Sequence, residues 1–186
     1  SFQRNLDVSG LIRANDVSCD NFNATRIKVE DERVAIGLAA GLVNQGTDAI
    51  GIGHLAGQNN QGTHAISMGE QAGQLRQGNH SISIGRLSGY MDQMLNSIAI
   101  GRTAGRTNQN NEGIAIGYAA GMDDQSKNSI AIGSYAGGAR QGTDAIAIGR
   151  QAGLSDQGNN AIAIGAFANT SAQKENTIIL SAAGTL

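Results

Sequence analysis

From Val34 onward, apolar and polar positions repeat every sixteen residues without a gap. Each period opens on an apolar–small–apolar triplet, as in Ile50-Gly51-Ile52, Ile98-Ala99-Ile100, Ile130-Ala131-Ile132 and Ile146-Ala147-Ile148. Alternation with period two sends both Ile to one face of a short strand and the small residue to the other. Gly closes the triplet at Gly37, Gly53, Gly69, Gly85, Gly101, Gly117, Gly133, Gly149 and Gly165, the place for a corner. A second corner follows four residues on, at Gly41 through Gly153, with Asn169 taking its place in the last full period. A polar, variable stretch then ends in Gln45, Gln61, Gln77, Gln93, Gln109, Gln125, Gln141, Gln157 and Gln173.

Two short strands and two corners per period describe a coil, and stacked coils turn each column into a ladder. The pattern therefore predicts an all-β fold: a parallel β-roll solenoid of nine full sixteen-residue coils over 34–180. A helix is excluded, because Gly recurs too often and Ile at i, i+2 has the wrong period. Sixteen does not fit the six-residue count of hexapeptide acyltransferases, and the Gly-Gly-x-Gly-x-Asp of calcium-binding rolls is absent. Ile50, Ile52, Ile98, Ile100, Ile130, Ile132, Ile146 and Ile148 are expected to fill the core. Two Ile bury too little surface to offset the ordering of sixteen residues, so a second chain is expected to supply more. The small column, Ala99, Ala115, Ala131, Ala147 and Ala163, is the expected place of that contact. The Gln column is expected to form a polar ladder of stacked amides.

Residues 1–33 break the period. Loose alternation (Leu6, Val8; Ile27, Val29) between turn residues predicts a β-rich neck that feeds the roll. Residues 181–186 form a short tail.

Composition sharpens this picture. With 27 Gly, no Pro, no Trp, three Phe and three Tyr, the chain has few aromatics for a core. Its net charge of −2 gives no footprint for nucleic acid. Apolar runs stop well short of the roughly 20 residues that span a bilayer, so no membrane insertion is expected. The N-terminal SFQRNLDVSG lacks the apolar run of a signal peptide. The single cysteine, Cys19, excludes an intrachain disulfide.

No spacing supplies a catalytic constellation, so no enzyme activity, metal or cofactor is expected. His64 and His80 share a column one rung apart, in a place otherwise held by Asp48, Asn96, Glu112, Asn128, Asp144, Asn160 and Asn176. That reads as a polar turn position. Asp123-Asp124 reads as solvated surface, and a phosphate cradle would have to recur in every coil. Tyr90, Tyr118 and Tyr135, with Phe167, are the aromatics at variable positions and the candidates for surface binding of a host glycan or protein.

The motifs NSIAIG (96–101 and 128–133) and NNAIAIG (159–165), with the xxAG that follows, resemble the head repeats of trimeric autotransporter adhesins. The resemblance covers residues 34–180 and implies a left-handed parallel β-roll in a homotrimer. The sixteen-residue coil and the unbroken Gln column depart from those heads. The AGxxNQGxxAIAIG pattern and the ending NTIILSAAGTL are more similar to fibre proteins of large DNA viruses and tailed phages. There such a roll often precedes a self-cleaving intramolecular chaperone of the endosialidase type, which would make Leu186 a cleavage point. The resemblance implies a trimeric fibre segment at a virion or extracellular surface that scaffolds attachment to a host. The alternatives are a non-catalytic segment of a larger virion enzyme degrading cell-wall polysaccharide, and a bacterial adhesin head binding matrix or glycan directly.

Overall fold

The computed structural model describes residues 33–182. The neck expected over 1–33, with Cys19, lies outside the described residues apart from Arg33, and so do residues 183–186 of the tail.

Eighteen three-residue strands, β1 (Val34–Ile36) to β18 (Ile178–Leu180), stack into two parallel sheets, and no helix occurs among the described residues. The first, here the Ile sheet, has ten strands: β1 and then the triplets from Ile50–Ile52 to Ile162–Ile164, closed by Ile178–Leu180. The second, here the Gln sheet, has eight, from Val43–Gln45 to Ser155–Gln157. Pairing in both sheets joins positions sixteen apart, as in Ala131 with Ala147 and Gln125 with Gln141. The chain is a β-solenoid, with rungs about 4.8 Å apart.

The inside of the coil reverses one expectation. Ala99, Ala115, Ala131, Ala147 and Ala163 are fully buried and form the core with Ala104, Ala120, Ala136, Ala152 and Ala168. The flanking Ile columns point the other way and stay half-exposed: Ile132 is 36 % and Ile164 39 % exposed. Ile50, Ile52, Ile98, Ile100, Ile130, Ile146 and Ile148 are likewise only partly buried. The small column is thus the interior, and it cannot be the contact face with a second chain.

The cause is width. The sheets stand so close that a Cβ added at Gly137 would lie 3.1 Å from the Ala131 Cβ and 2.7 Å from the Gln141 Oε1. An interior of that size holds a methyl group and a primary amide, and no Ile.

The Gln column fills the remaining space. Gln93, Gln109 and Gln125 have no exposed surface. Gln125 Nε2 crosses the coil to donate to the Ile114 carbonyl at 2.8 Å, and also donates to the Gln141 Oε1 of the next rung at 3.3 Å. The crossing bond recurs from Gln45 to Gln173, so each amide braces one sheet against the other. The rung-to-rung bond runs unbroken from Gln77 to Gln173, always with the lower-numbered Gln donating. The expected ladder is present, and it is the core rather than a surface feature.

Where the small residue is Ser, its hydroxyl joins in: Ser67 Oγ donates to Gln77 Oε1 at 2.7 Å, and Ser83 Oγ to Gln93 Oε1. Gln61 Oε1 is buried without a partner among the described residues, and the small position of its own coil is Gly51.

In each coil before the last, five backbone positions take positive φ, only two of them glycine columns. Gly117, at φ +127, closes its triplet where a Cβ would meet the Gly133 carbonyl at 2.8 Å. The middle residue of each Gln-sheet strand is also left-handed, at φ 51 for Arg140 and 56 for Asp124, so pairing there runs through the first and third residues. Asn or Asp holds six of those eight places, the residues that adopt this conformation most readily after Gly.

Candidate interaction face

Among the described residues, the outer surface of the Ile sheet carries a continuous apolar stripe. Two columns run along it over ten rungs, one from Val34 to Ile178 and one from Ile36 to Leu180. At about 4.8 Å per rung the stripe is roughly 45 Å long. A contiguous double row of part-exposed, mostly Ile side chains along one face is the kind of apolar stripe that marks an interaction surface. The outer face of the Gln sheet is polar by contrast. Asn44 donates to Asn60 at 2.9 Å and Asn108 to Asp124 at 2.8 Å, while Arg76 pairs with Asp92 and Arg140 with Asp156. Arg76 lowers the Asp92 carboxyl below the ordinary Asp range chiefly by hydrogen bonding, and Arg140 does the same for Asp156.

Two columns, exposed at every position but Ser134, border the Ile stripe. One precedes each triplet by two residues (Asp48, His64, His80, Asn96, Glu112, Asn128, Asp144, Asn160). The other follows it by two (His54, Glu70, Arg86, Arg102, Tyr118, Ser134, Arg150, Ala166).

The structure brings Tyr118 and Tyr135 together and leaves Tyr90 apart, beside the Gln sheet. The Tyr118 and Tyr135 rings meet edge to face with centroids 5.0 Å apart, and their hydroxyls lie 3.2 Å apart. That bond raises the Tyr135 phenol above its ordinary value. The Arg102 guanidinium sits 5.4 Å from the Tyr118 ring centre, and Arg150 sits 4.3 Å from that of Phe167. Sequence reasoning did not find these arginine–aromatic stacks. Their signal was present, since residues sixteen or seventeen apart are neighbours in a coil of this length. The two rings brace each other and Tyr118 also meets Arg102, while Tyr118 stays 42 % exposed.

His64 and His80 stack face to face at 4.9 Å, and His64 Nε2 lies 3.2 Å from Asp48 Oδ2. No group of three His, Cys, Asp or Glu that could hold a metal ion occurs among the described residues. A cleft of about 250 Å³ opens at the last coil between Phe167, Asn169, Ser171 and Ile179, where the Gln sheet has ended and the Ile sheet continues. No family model, no curated protein and no solved structure matches this chain.

Proposed function

We propose that this chain is a structural segment of a trimeric fibre, a non-catalytic rod that spaces and presents neighbouring parts at a virion or extracellular surface for attachment to a host. The observation that carries the reading is the double Ile column. Ten rungs of Ile-rich triplets along one face, opposite a polar face with paired charges, mark one side for burial. The interior relies on Ala and Gln, so each coil buries little apolar area of its own, and closing the Ile faces around an axis supplies the rest. The resemblance of NSIAIG and NNAIAIG to trimeric heads points to three chains rather than two. A rod of stacked identical rungs suits a spacer, since each rung supports only its neighbours and length follows from their number.

Sedimentation equilibrium on the whole chain tests this. A species of about 57 kDa, three times the 19.1 kDa chain, is expected at micromolar concentration. A monodisperse monomer there overturns the reading. Saturable binding of host glycan that Tyr118→Ala abolishes would move the assignment to a direct adhesin.

A further inference from the structure

If three copies close on their Ile faces, the two columns bordering the stripe must meet. In a threefold ring each chain sets one border against the opposite border of its neighbour, a head-to-tail contact repeated three times. Both borders lie two residues from the same triplet, so the residues that meet at equal height are i of one chain and i+6 of the next.

We propose that these borders form a charge-matched lateral seam between copies of this chain, with Asp144 of one chain opposite Arg150 of the next as its principal ion pair. The inference rests on the trimer reading.

The borders carry opposite charge. From 48 to 160 the leading border has three acids, Asp48, Glu112 and Asp144, and no Lys or Arg. From 54 to 166 the trailing border has three arginines, Arg86, Arg102 and Arg150, against Glu70. At equal height Asp48 meets His54, His64 meets Glu70, and Asp144 meets Arg150. Asn96 meets Arg102 and Glu112 meets Tyr118, both able to hydrogen-bond. His80 opposite Arg86 and Asn160 opposite Ala166 are the matches that gain nothing.

The pairing within the chain points the same way. On the Gln-sheet side Arg76, Arg106 and Arg140 each have an acidic partner. On the borders Asp48 pairs with His64 and Glu70 with Arg86 within the chain, and Asp144 accepts a hydrogen bond from Asn128. But Arg102, Glu112, Asp144 and Arg150, all exposed, have no ion pair within the described residues. The Arg150 guanidinium stacks on the Phe167 ring, which holds its position and leaves its edge N–H donors to a partner. Charges left unpaired along the edges of an apolar stripe fit the polar rim of an interface.

Disulfide trapping provides the test. In a Cys19→Ser background, Asp144→Cys with Arg150→Cys should oxidise to a covalent trimer on a non-reducing gel. A one-rung-shifted control, Asn128→Cys with Arg150→Cys, should give little. Within one chain the strand Ile146–Ile148 separates the two positions, too far for a bridge. If the reduced variant sediments as a trimer yet stays uncrosslinked, or if the shifted pair crosslinks better, the seam is overturned while the trimer stands. A reduced monomer overturns the trimer itself. Because Asp144 has φ 57, charge reversal is a second readout. Arg150→Glu should weaken trimer association roughly tenfold and Asp144→Lys with Arg150→Glu should restore it. A double reversal no better than the single one overturns the pair.

Discussion

Nε2 of Gln109 donates to Oε1 of Gln125, one rung on, at 3.1 Å, and the same amide reaches the Ile98 carbonyl across the coil at 2.8 Å. One side chain thus ties two sheets and two rungs together inside a space that admits no large apolar group.

Gln109→Ala should destabilise the fold by about 3 kcal/mol or more, since it strands buried acceptors on Ile98 and Gln125 and leaves a cavity. Lys127→Ala, at an exposed turn, should stay within about 0.5 kcal/mol. Urea unfolding followed by circular dichroism compares the two.

The two faces of one triplet can be separated by substitution. Ala131→Leu drives a side chain into the room held by the Gln141 amide and Gly137, and should cost about 3 kcal/mol or abolish the β signal. Ile132→Ser, on the outer face, should keep the β signal and weaken self-association measured by sedimentation. The reverse pattern would mean that the small column faces out.

Gly51→Ser should stabilise the roll by about 1 kcal/mol, because a hydroxyl there stands where Ser67 Oγ does in the next coil and can donate to the unpartnered Gln61 Oε1. The added Cβ would lie 3.1 Å from the Ala56 carbonyl, so a small shift of that turn goes with it. Thermal unfolding of Gly51→Ser against Gly51→Ala isolates the hydroxyl, and no gain of Ser over Ala would refute the assignment.

Acid should loosen the polar face in a defined direction. The folded state lowers the Asp92 carboxyl, mainly through its hydrogen bond with Arg76. A lowered carboxyl adds stability above its unfolded value, near 4, and loses it as pH falls through the folded value. Wild type should therefore lose its small advantage over Arg76→Ala below about pH 4, as read from urea midpoints between pH 6 and pH 2. An advantage that grows on acidification would contradict the pair.

The strand triplets, both glycine corners, the period and the Gln ladder were legible in the sequence, because each is a strict column. Which way the triplet faced was not. Period two separates Ile130 and Ile132 from Ala131 but does not say which side is inside, and Ile is the usual core residue. The answer depended on the separation of the sheets, a tertiary quantity, and the invariant Gln was its trace: a buried amide in every coil leaves room only for Ala. The left-handed middle of each Gln-sheet strand was readable too. Asn44, Asn60, Asp92, Asn108, Asp124 and Asp156 share one column, yet Arg76 and Arg140 hide the rule by taking the same conformation. Contacts such as Arg102 on Tyr118 needed the coil geometry first.

The one-way order of the amides gives the rod a front and a back. Every ladder amide from Gln77 to Gln157 points its donor toward the next rung, and every ladder acceptor from Gln93 to Gln173 faces the rung before it. A coil fits into this stack only with the same chain direction, since a reversed one would set acceptor against acceptor or donor against donor. The direction of the chain is therefore written into the core itself and not only into the strand pairing.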